Sequence, residues 1–337
     1  MEKKPIFFFE VSDPEKAGFE SAPCLEGHPL VLNPGRLTPE NVEMAREAEI
    51  LSVFIYSRLT AELLDALPNL RLIATRSTGY DHIDLAVCKK RGIIVSSVPS
   101  YGEDTVAEHT FALILSLSRN IHRAYVRTIR GNFSLQGLRG FDLKAKTLGV
   151  VGTGRIGLRV IKIAKGLGMN VIASDPRPNE LLAEILDFRY FSFDEVLGKS
   201  DILSLHAPEN ERTRHMINRE SIKKIKRGAI LINTARGGLV DTDALTEALD
   251  EGILSGAGLD VFEGELLVRE ERQILREPLT QEKLKTLYLT HALLNRENVV
   301  ITPHIGFDSN EAVERIVSTT LENICGFLEG HPLNAIH

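Results

Sequence analysis

The stretch that most constrains this chain of 337 residues is "TLGVVGTGRIGLRVIKIAKGLGMNVIASD", residues 147–175. An apolar run of strand length meets Gly152, Gly154 and Gly157 in G-x-G-x-x-G spacing, then passes directly into an amphipathic helical run. Each glycine has its own physical task. Gly152 permits a tight turn, Gly154 lets backbone approach a pyrophosphate, and Gly157 lets helix pack on strand. The helix that follows offers free N–H groups and the positive end of its dipole to phosphates. A glycine-rich turn alone is a weak signal, but here the strand, turn and helix are in sequence, and the next strand, "NVIASD", ends at Asp175. A carboxylate there bonds both ribose hydroxyls and repels a 2′-phosphate, so the expected cofactor is NAD rather than NADP, with Arg177 close by as the feature that tempers that exclusion. This segment settles the fold class, α/β with a parallel sheet, more firmly than any residue propensity.

The rest of the chain keeps to the same grammar. Its length suggests about two domains. Short apolar runs alternate with amphipathic segments, as βα units around parallel sheets require. In the first hundred residues "IFFF", "LSVFI", "LRLIATR" and "IIVSSV" read as strands. Thr38 before Pro39 and Thr60 before "AELLDAL" fit helix N-caps, and "DLAVCKKRG" has the basic end and glycine of a helix C-terminus. Residues 104–128, "DTVAEHTFALILSLSRNIHRAYVRT", predict one long helix, apolar over more than one face. Such a helix must be covered by more than its own domain, as a buried interdomain linker, a subunit interface or both. Six further strands follow: "TLGVVG", "NVIASD", "DILSLHAP", "AILINTAR", "GAGLDVF" and "NVVITPH", the count of a complete dinucleotide-binding domain. Ser192 and Glu195 form a capping box. The stretch 264–297 is charged and irregular, a surface insertion with helical pieces. The last helix, "SNEAVERIVSTTLENICGFLEG", packs back on the first domain in the expected division, 1–100 plus 305–337 around 101–304.

Bulk composition narrows the function classes. At 43% hydrophobic and 26% charged residues the chain is ordinary for a globular protein, and its net charge of −6 offers no footprint for nucleic acid. The basic stretch "IKKIKRG" (222–228) reads as a solvated helix face. Cys24, Cys88 and Cys325 are odd in number, far apart and without CxxC spacing, which argues against disulfides and against a zinc or other metal site and suits a reducing compartment. The opening "MEKKPIFFFE" has too short an apolar run for a signal segment and reads as a first strand, and no run reaches membrane-spanning length. A cytoplasmic protein without membrane or nucleic-acid partners is expected.

A bound nicotinamide needs one partner to hold the substrate and another to handle its proton. Three candidates stand at or just beyond strand ends, where open α/β sheets place ligands: Arg236 after "AILINTA", Glu265 after "GLDVFEG", and His304 after "VVITP". An arginine there suits a carboxylate, because its planar fork makes two parallel charge-assisted bonds. Taken singly each is a surface charge near a turn, or an ordinary turn histidine. Three complementary groups on consecutive strand ends weigh against that reading.

"GTGRIG" with Asp175, "NTARGGLVD", "GLDVFEGE" and "TPHIG" resemble the D-isomer-specific 2-hydroxyacid dehydrogenases. The likeness narrows toward the fermentative D-lactate dehydrogenases through "RSTGYDHIDL" (76–85), "VPSYGEDTVAEHTFALIL" (98–115) and "HRAYVRTIRGNFSLQGLRGFDL" (122–143). It spans nearly the whole chain and is weakest in 1–65 and 266–297. The resemblance implies two Rossmann-like or flavodoxin-like domains with the active site in the cleft between them, and a homodimer formed through the helix near 104–122. It implies that Arg236 binds the carboxylate of a small 2-oxo or 2-hydroxy acid, that His304 is the acid/base and that Glu265 pairs with it. Thr78, Gly79, Tyr101 and Phe307 would meet the substrate. Around the cofactor it places Val106, then Gly152, Thr153, Gly154, Arg155, Ile156 and Gly157, then Asp175. It adds His206, Ala207, Pro208 and Thr213, and finally Thr234, Ala235, Arg236, Asp260, His304 and Gly306. The expected reaction is reversible hydride transfer between NADH and pyruvate, giving D-lactate.

Two departures bear on substrate. Many family members have proline directly after the catalytic glutamate, whereas here "GEL" runs into the charged insertion. Position 307 is Phe where some D-lactate enzymes have tyrosine. The alternatives are a reductase of a larger 2-oxo acid, such as hydroxypyruvate, phosphoglycerate or a branched-chain acid, and an NAD-sensing corepressor on the same fold. Proteins of the last kind carry extended tails, for which this sequence shows no long disordered segment.

Overall fold

A computed structural model describes residues 3–265 and 280–336. The chain divides into two compact units, Met1–Tyr101 with Asp308–His337, and Gly102–Phe307. Most of the insertion expected from 264 onward, residues 266–279, lies outside the described residues.

In the first unit β1 (Ile6–Phe9), β2 (Leu30–Asn33), β3 (Ile50–Val53), β4 (Leu72–Thr75) and β5 (Ile94–Ser96) form a parallel sheet in the order β2-β1-β3-β4-β5. This is the flavodoxin-like order, with its reversal between β1 and β3. β1, β3 and β4 are buried along their whole length, as continuous apolar runs demand when both sheet faces are covered. One face gathers Phe7, Phe9, Leu51, Val53 and Ile73. The other gathers Ile6, Phe8, Ile50 and Leu72 with Phe19 of α1 (Asp13–Glu20) and Ile324 of the C-terminal helix (Asn310–Leu328). That helix lies so close to α1 that a Cβ on Gly18 would stand 2.6 Å from Val317 Cγ1. Thr60 caps α2 (Ala61–Asp65) by accepting the Leu63 N–H, and Gly92, at φ +68°, ends α3 (Leu85–Arg91) as expected.

Three expectations fail in this unit. "LVLN" forms β2, although it was not read as a strand. After Pro39 there is only a 3₁₀ turn, Val42–Ala45, and Thr38 caps nothing. Asn41 bonds the Thr38 amide and the Arg36 carbonyl instead, a local pairing that competes with helix. Cys24 and Cys325 are joined in a disulfide, with Cα atoms 5.9 Å apart. Spacing along the chain hid the pair, because the C-terminal helix brings positions 301 residues apart to one place. Cys88 remains a free, buried thiol, pushed up to about 11 chiefly by desolvation.

The second unit is a doubly wound sheet of parallel strands, β6 (Thr147–Val151), β7 (Asn170–Ser174), β8 (Arg189–Tyr190), β9 (Ile202–Leu205), β10 (Ala229–Asn233), β11 (Leu254–Leu259) and β12 (Val299–Ile301). They run in the order β12-β11-β10-β9-β6-β7-β8, so the strand order reverses between β6 and β9. The short β8 is additional to the six strands read from sequence. Its helices are α4 (Glu103–Ser118), α5 (Ile121–Ile129), α6 (Arg155–Gly166), α7 (Glu180–Ile185), α8 (Phe193–Lys199), α9 (Arg219–Ile222), α10 (Thr242–Asp250) and α11 (Gln281–Leu294). The capping box of Ser192 and Glu195 opens α8.

The single helix expected over 104–128 is two. Asn120 turns left-handed at φ +52°, while the Ser118 carbonyl accepts the Phe141 amide at 2.9 Å. A returning segment, tight enough that a Cβ on Gly140 would sit 2.0 Å from that oxygen, takes the place of the next helical turn. The apolar breadth of α4 is explained within its own unit, by Ala107, Phe111, Leu113, Ile114 and Leu117 packing against the sheet and α6. Exposed apolar side chains lie further on, with Tyr125 66%, Ile129 64%, Phe133 77% and Leu135 84% accessible. No helix among the described residues is long and apolar enough to cross a membrane.

Candidate active site

The glycine turn separates what the protein's own packing demands from what a ligand would demand. Gly152 has φ +95°, and a Cβ there would lie 2.7 Å from the His206 carbonyl oxygen. At Gly157 a Cβ would lie 2.1 Å from the Gly152 oxygen. Both must be glycine for the fold to close. Gly154 is different: a Cβ would meet no protein atom within 4 Å, and the residue caps α6 with no side-chain bond. Its freedom leaves open space over the uncapped N–H groups of α6, which is what a pyrophosphate needs.

Asp175, at the end of β7, accepts the Thr153 amide at 2.8 Å and the Arg177 amide at 2.8 Å. Tyr190 closes the same corner through the Thr153 hydroxyl at 2.8 Å, a contact that sequence reading missed. Arg155 pairs with Glu103 and Ile156 packs into the core below. Beyond β9, His206 Nε2 meets the Ser204 hydroxyl at 2.8 Å, while its Nδ1 is buried without a hydrogen-bond partner. Burial alone pushes this imidazole down to about 4, so it is neutral and can still accept or donate one bond. Ala207 is buried, and Thr213 donates to the Pro208 carbonyl at 2.6 Å, closing the loop that follows. Open glycine, uncapped helix, a carboxylate at the end of β7 and an orphaned imidazole together fit NAD. The Thr234 hydroxyl shares a hydrogen bond with the Thr110 hydroxyl of α4 at 2.9 Å. Val106 lies on the same helix, beside Gly102.

Arg236, Glu265 and His304 follow three neighbouring strands, β10, β11 and β12. His304 Nδ1 lies 3.2 and 3.3 Å from the two Glu265 oxygens, and both side chains are largely buried. The pairing leaves Nε2 as the nitrogen available to a substrate. His304 has φ +58°, an unusual state for a residue with a Cβ. Asp260, only 2% exposed, holds that turn. Its backbone oxygen accepts the His304 amide at 3.0 Å. Its carboxylate accepts the Ile305 amide at 2.9 Å, the Gly306 amide at 2.8 Å and the Thr302 hydroxyl at 2.6 Å. His109 of α4 completes the set, with Nε2 3.3 Å from the carboxylate and 2.9 Å from the Thr302 hydroxyl. Burial opposes ionisation of Asp260, but bonds from His109, Thr302 and the Gly306 amide outweigh it and hold the carboxyl below its ordinary value. Sequence reading expected Asp260 and Gly306 beside the cofactor; the structure shows them holding the His304 turn together with His109, for which no local motif spoke. The ring of Phe307 stands edge-on to His304, centroids 6.4 Å apart.

Arg236 is half-buried, with Nη1 donating to the Ala235 carbonyl at 2.7 Å. Its loop is shaped by Asn233, a fully buried residue also missed from sequence, which accepts the Ala235 amide and donates to the Arg236 carbonyl. Thr78, Gly79 and Tyr101 belong to the first unit. There Thr78 donates to the Val98 carbonyl at 2.8 Å, and the Ser77 hydroxyl to the Gly79 carbonyl at 2.6 Å. Just before them Arg76 is wholly buried, bonding Glu15, Ser52 and the carbonyls of Phe9 and Glu10, and so anchors this turn. The Tyr101 carbonyl accepts Arg315 Nε at 2.7 Å.

Residues 111–306 match the family profile described as D-isomer specific 2-hydroxyacid dehydrogenase, NAD binding domain. A solved structure of D-lactate dehydrogenase from Aquifex aeolicus, complexed with NAD and lactic acid, superposes with a TM-score of 0.86 at 41% identity, covering 96% of each chain. A D-lactate dehydrogenase of Curvularia clavata is 39% identical over 88% of this chain and 83% of its own length. An aromatic 2-oxoacid reductase of Clostridium sporogenes is also 39% identical, over 89% of both chains.

Proposed function

This chain belongs to the D-isomer-specific 2-hydroxyacid dehydrogenases, an NAD-dependent family, and from that premise we propose that its own substrate pair is pyruvate and D-lactate. The observation that carries the chemistry is the pairing of His304 Nδ1 with both oxygens of Glu265, on strand ends adjoining that of Arg236. Bound NADH supplies the hydride that attacks the substrate's carbonyl carbon. Arg236 grips the carboxylate through two parallel N–H bonds and so orients the carbonyl. His304 delivers a proton from Nε2 to the oxygen as negative charge develops there. Glu265 accepts the Nδ1–H, fixes the ring's tautomer and offsets its charge. Thr78, Gly79 and Tyr101 are assigned to substrate on the resemblance alone. Oxidation of D-lactate reverses each step.

The relatives supply the reason for pyruvate and also the competing reading. A D-lactate dehydrogenase and an aromatic 2-oxoacid reductase are equally similar to this chain. Phe307 beside His304 favours the second, since an aromatic ring offers apolar contact to a large substrate side chain. The deciding experiment is kcat/KM with NADH for pyruvate, phenylpyruvate, 2-oxo-4-methylpentanoate and hydroxypyruvate. Pyruvate is expected to rank first; tenfold preference for phenylpyruvate would overturn the assignment. We also assign the exposed apolar side chains from Ile121 to Leu135 to a homodimer interface, checked by sedimentation of Tyr125→Glu, expected as a monomer.

A further inference from the structure

Two carboxylates stand on the short segment Phe262–Glu265, and only Glu265 meets His304. Glu263 is engaged on the other side. Its Oε1 lies 2.6 Å from Nε2 of His215, and its Oε2 accepts both the amide and the hydroxyl of Thr242, at 3.2 and 3.0 Å. The three residues come from three different segments of the chain. His215 belongs to the segment after β9, Thr242 is the first residue of α10, and Glu263 follows β11. A surface His–Glu pair contributes little by itself, but this one is partly buried and has one carboxylate bridging two neighbouring loops.

Arg236 lies on the loop enclosed by these contacts, and that loop has no slack. His215, itself at φ +50°, donates its amide to the Gly238 carbonyl at 2.7 Å. A Cβ on Gly237 would lie 2.5 Å from the Phe262 carbonyl and 3.0 Å from the Glu263 backbone nitrogen. Any drift of the 262–265 segment would therefore move Glu265 away from His304 and press on the loop carrying Arg236. We propose that Glu263, His215 and Thr242 form a positioning clip that sets Glu265 against His304. None of the three is assigned contact with substrate. Of the other charged groups on these segments, Arg214 pairs with Glu209, Asp241 caps α10 and Asp243 pairs with Lys285, while Glu211 and Arg212 share the loop of His215.

The inference rests on the acid/base reading of His304 and Glu265, so its test includes that pair. Full-length Glu263→Ala, Glu263→Gln and Glu265→Gln are compared with the parent for pyruvate reduction across pH, with NADH affinity measured by fluorescence. For Glu263→Ala, kcat falls roughly tenfold or more, as displacement of a catalytic group predicts, while NADH affinity stays within about twofold. Its pH–rate profile shifts in the same direction as that of Glu265→Gln. Glu263→Gln, which keeps an acceptor for both Thr242 donors, recovers most of the rate. Should Glu263→Ala unfold, Thr242→Val removes only the hydroxyl bond and shows the same split on a smaller scale. A Glu263→Ala enzyme with unchanged kcat and pH profile, beside an impaired Glu265→Gln, overturns the clip alone. An unimpaired Glu265→Gln overturns the acid/base reading, and the clip with it.

Discussion

Asp260→Asn is the sharpest single perturbation of the turn that carries His304. The native carboxylate takes the Thr302 hydroxyl and Ile305 amide on Oδ1 and the Gly306 amide on Oδ2, with His109 close by. Asparagine keeps the Oδ1 pair, but its NH₂ then faces the Gly306 N–H, donor against donor. A buried donor left unsatisfied costs about 1–3 kcal/mol, and turning charge-assisted bonds into neutral ones costs roughly 1 kcal/mol each, so about 3–5 kcal/mol is lost. That should lower the melting temperature by roughly 10 °C at ~2–4 °C per kcal/mol. The functional consequence is larger. The left-handed φ of His304 is a strained state of order 1–3 kcal/mol that persists only while its surroundings impose it. Once the turn relaxes, the imidazole moves, and a displacement of about 1 Å costs on the order of 10²-fold in rate. The assay is NADH consumption with pyruvate, scanning calorimetry, and a titration to show whether NADH still binds. The pH dependence has a definite sign. A carboxyl held below its ordinary value contributes stability that is present above that value and lost as pH falls through the folded one. The stability gap between parent and variant should therefore narrow in acid. A variant with kcat within threefold of the parent and an unchanged melting temperature would refute the reasoning.

Other consequences follow from the same site and from the first unit. Arg236→Lys replaces a planar fork by a point charge and should lower kcat/KM for pyruvate by about 10–10²-fold while leaving NADH affinity intact, read by steady-state kinetics and fluorescence titration. His206 is held near 4, so the unfolded chain takes up its proton first as pH falls from about 6.5. Its neutral burial therefore contributes up to ~3 kcal/mol above that range, lost toward pH 4; His206→Gln should flatten this acid limb of the melting curve. Thiol titration in denaturant without reductant should find one cysteine, Cys88; three reactive thiols would rule out the Cys24–Cys325 bond.

What could be read from sequence was what chemistry writes locally. The spacing of Gly152, Gly154 and Gly157, the acid at the end of the next strand, and Arg236, Glu265 and His304 after their strands each follow from neighbours along the chain. What escaped depends on neighbours in space. Nothing near His109 announces that it will meet Asp260, and nothing near Cys24 announces Cys325. The break at Asn120 is set by the segment that returns at Gly140 and Phe141, not by any weakness of helix propensity in "SLSRNIHR". Within the motif "GLDVFEGE" the sequence already singled out Glu265 as the partner of His304, but it did not show that Asp260 and Glu263 hold loops in place.

The same distinction explains why α6 is where phosphate should bind. The C-terminal edge of a parallel sheet collects loop amides and helix N-termini, all of which need acceptors. This chain supplies most of them from its own side chains. Asn179, Ser192, Asn218 and Asp241 cap α7, α8, α9 and α10, while Asp175, Asp260 and Glu263 take loop or helix-start amides. Among α6 to α10, only α6 starts without a side-chain cap, at Gly154, where a Cβ would meet nothing. Gly154→Ser should therefore fold well. Its backbone, at φ −68° and ψ −169°, already has N-cap geometry, and serine there should match or improve on glycine by a few tenths of a kcal/mol. The hydroxyl would occupy the amides and space left for pyrophosphate, so NADH affinity should fall by tenfold or more at an unchanged or slightly raised melting temperature. If Gly154→Ser instead binds NADH as tightly as the parent, the uncapped start of α6 is not the phosphate site. Loss of affinity accompanied by loss of stability would mean that Gly154, like Gly152 and Gly157, is required by the fold.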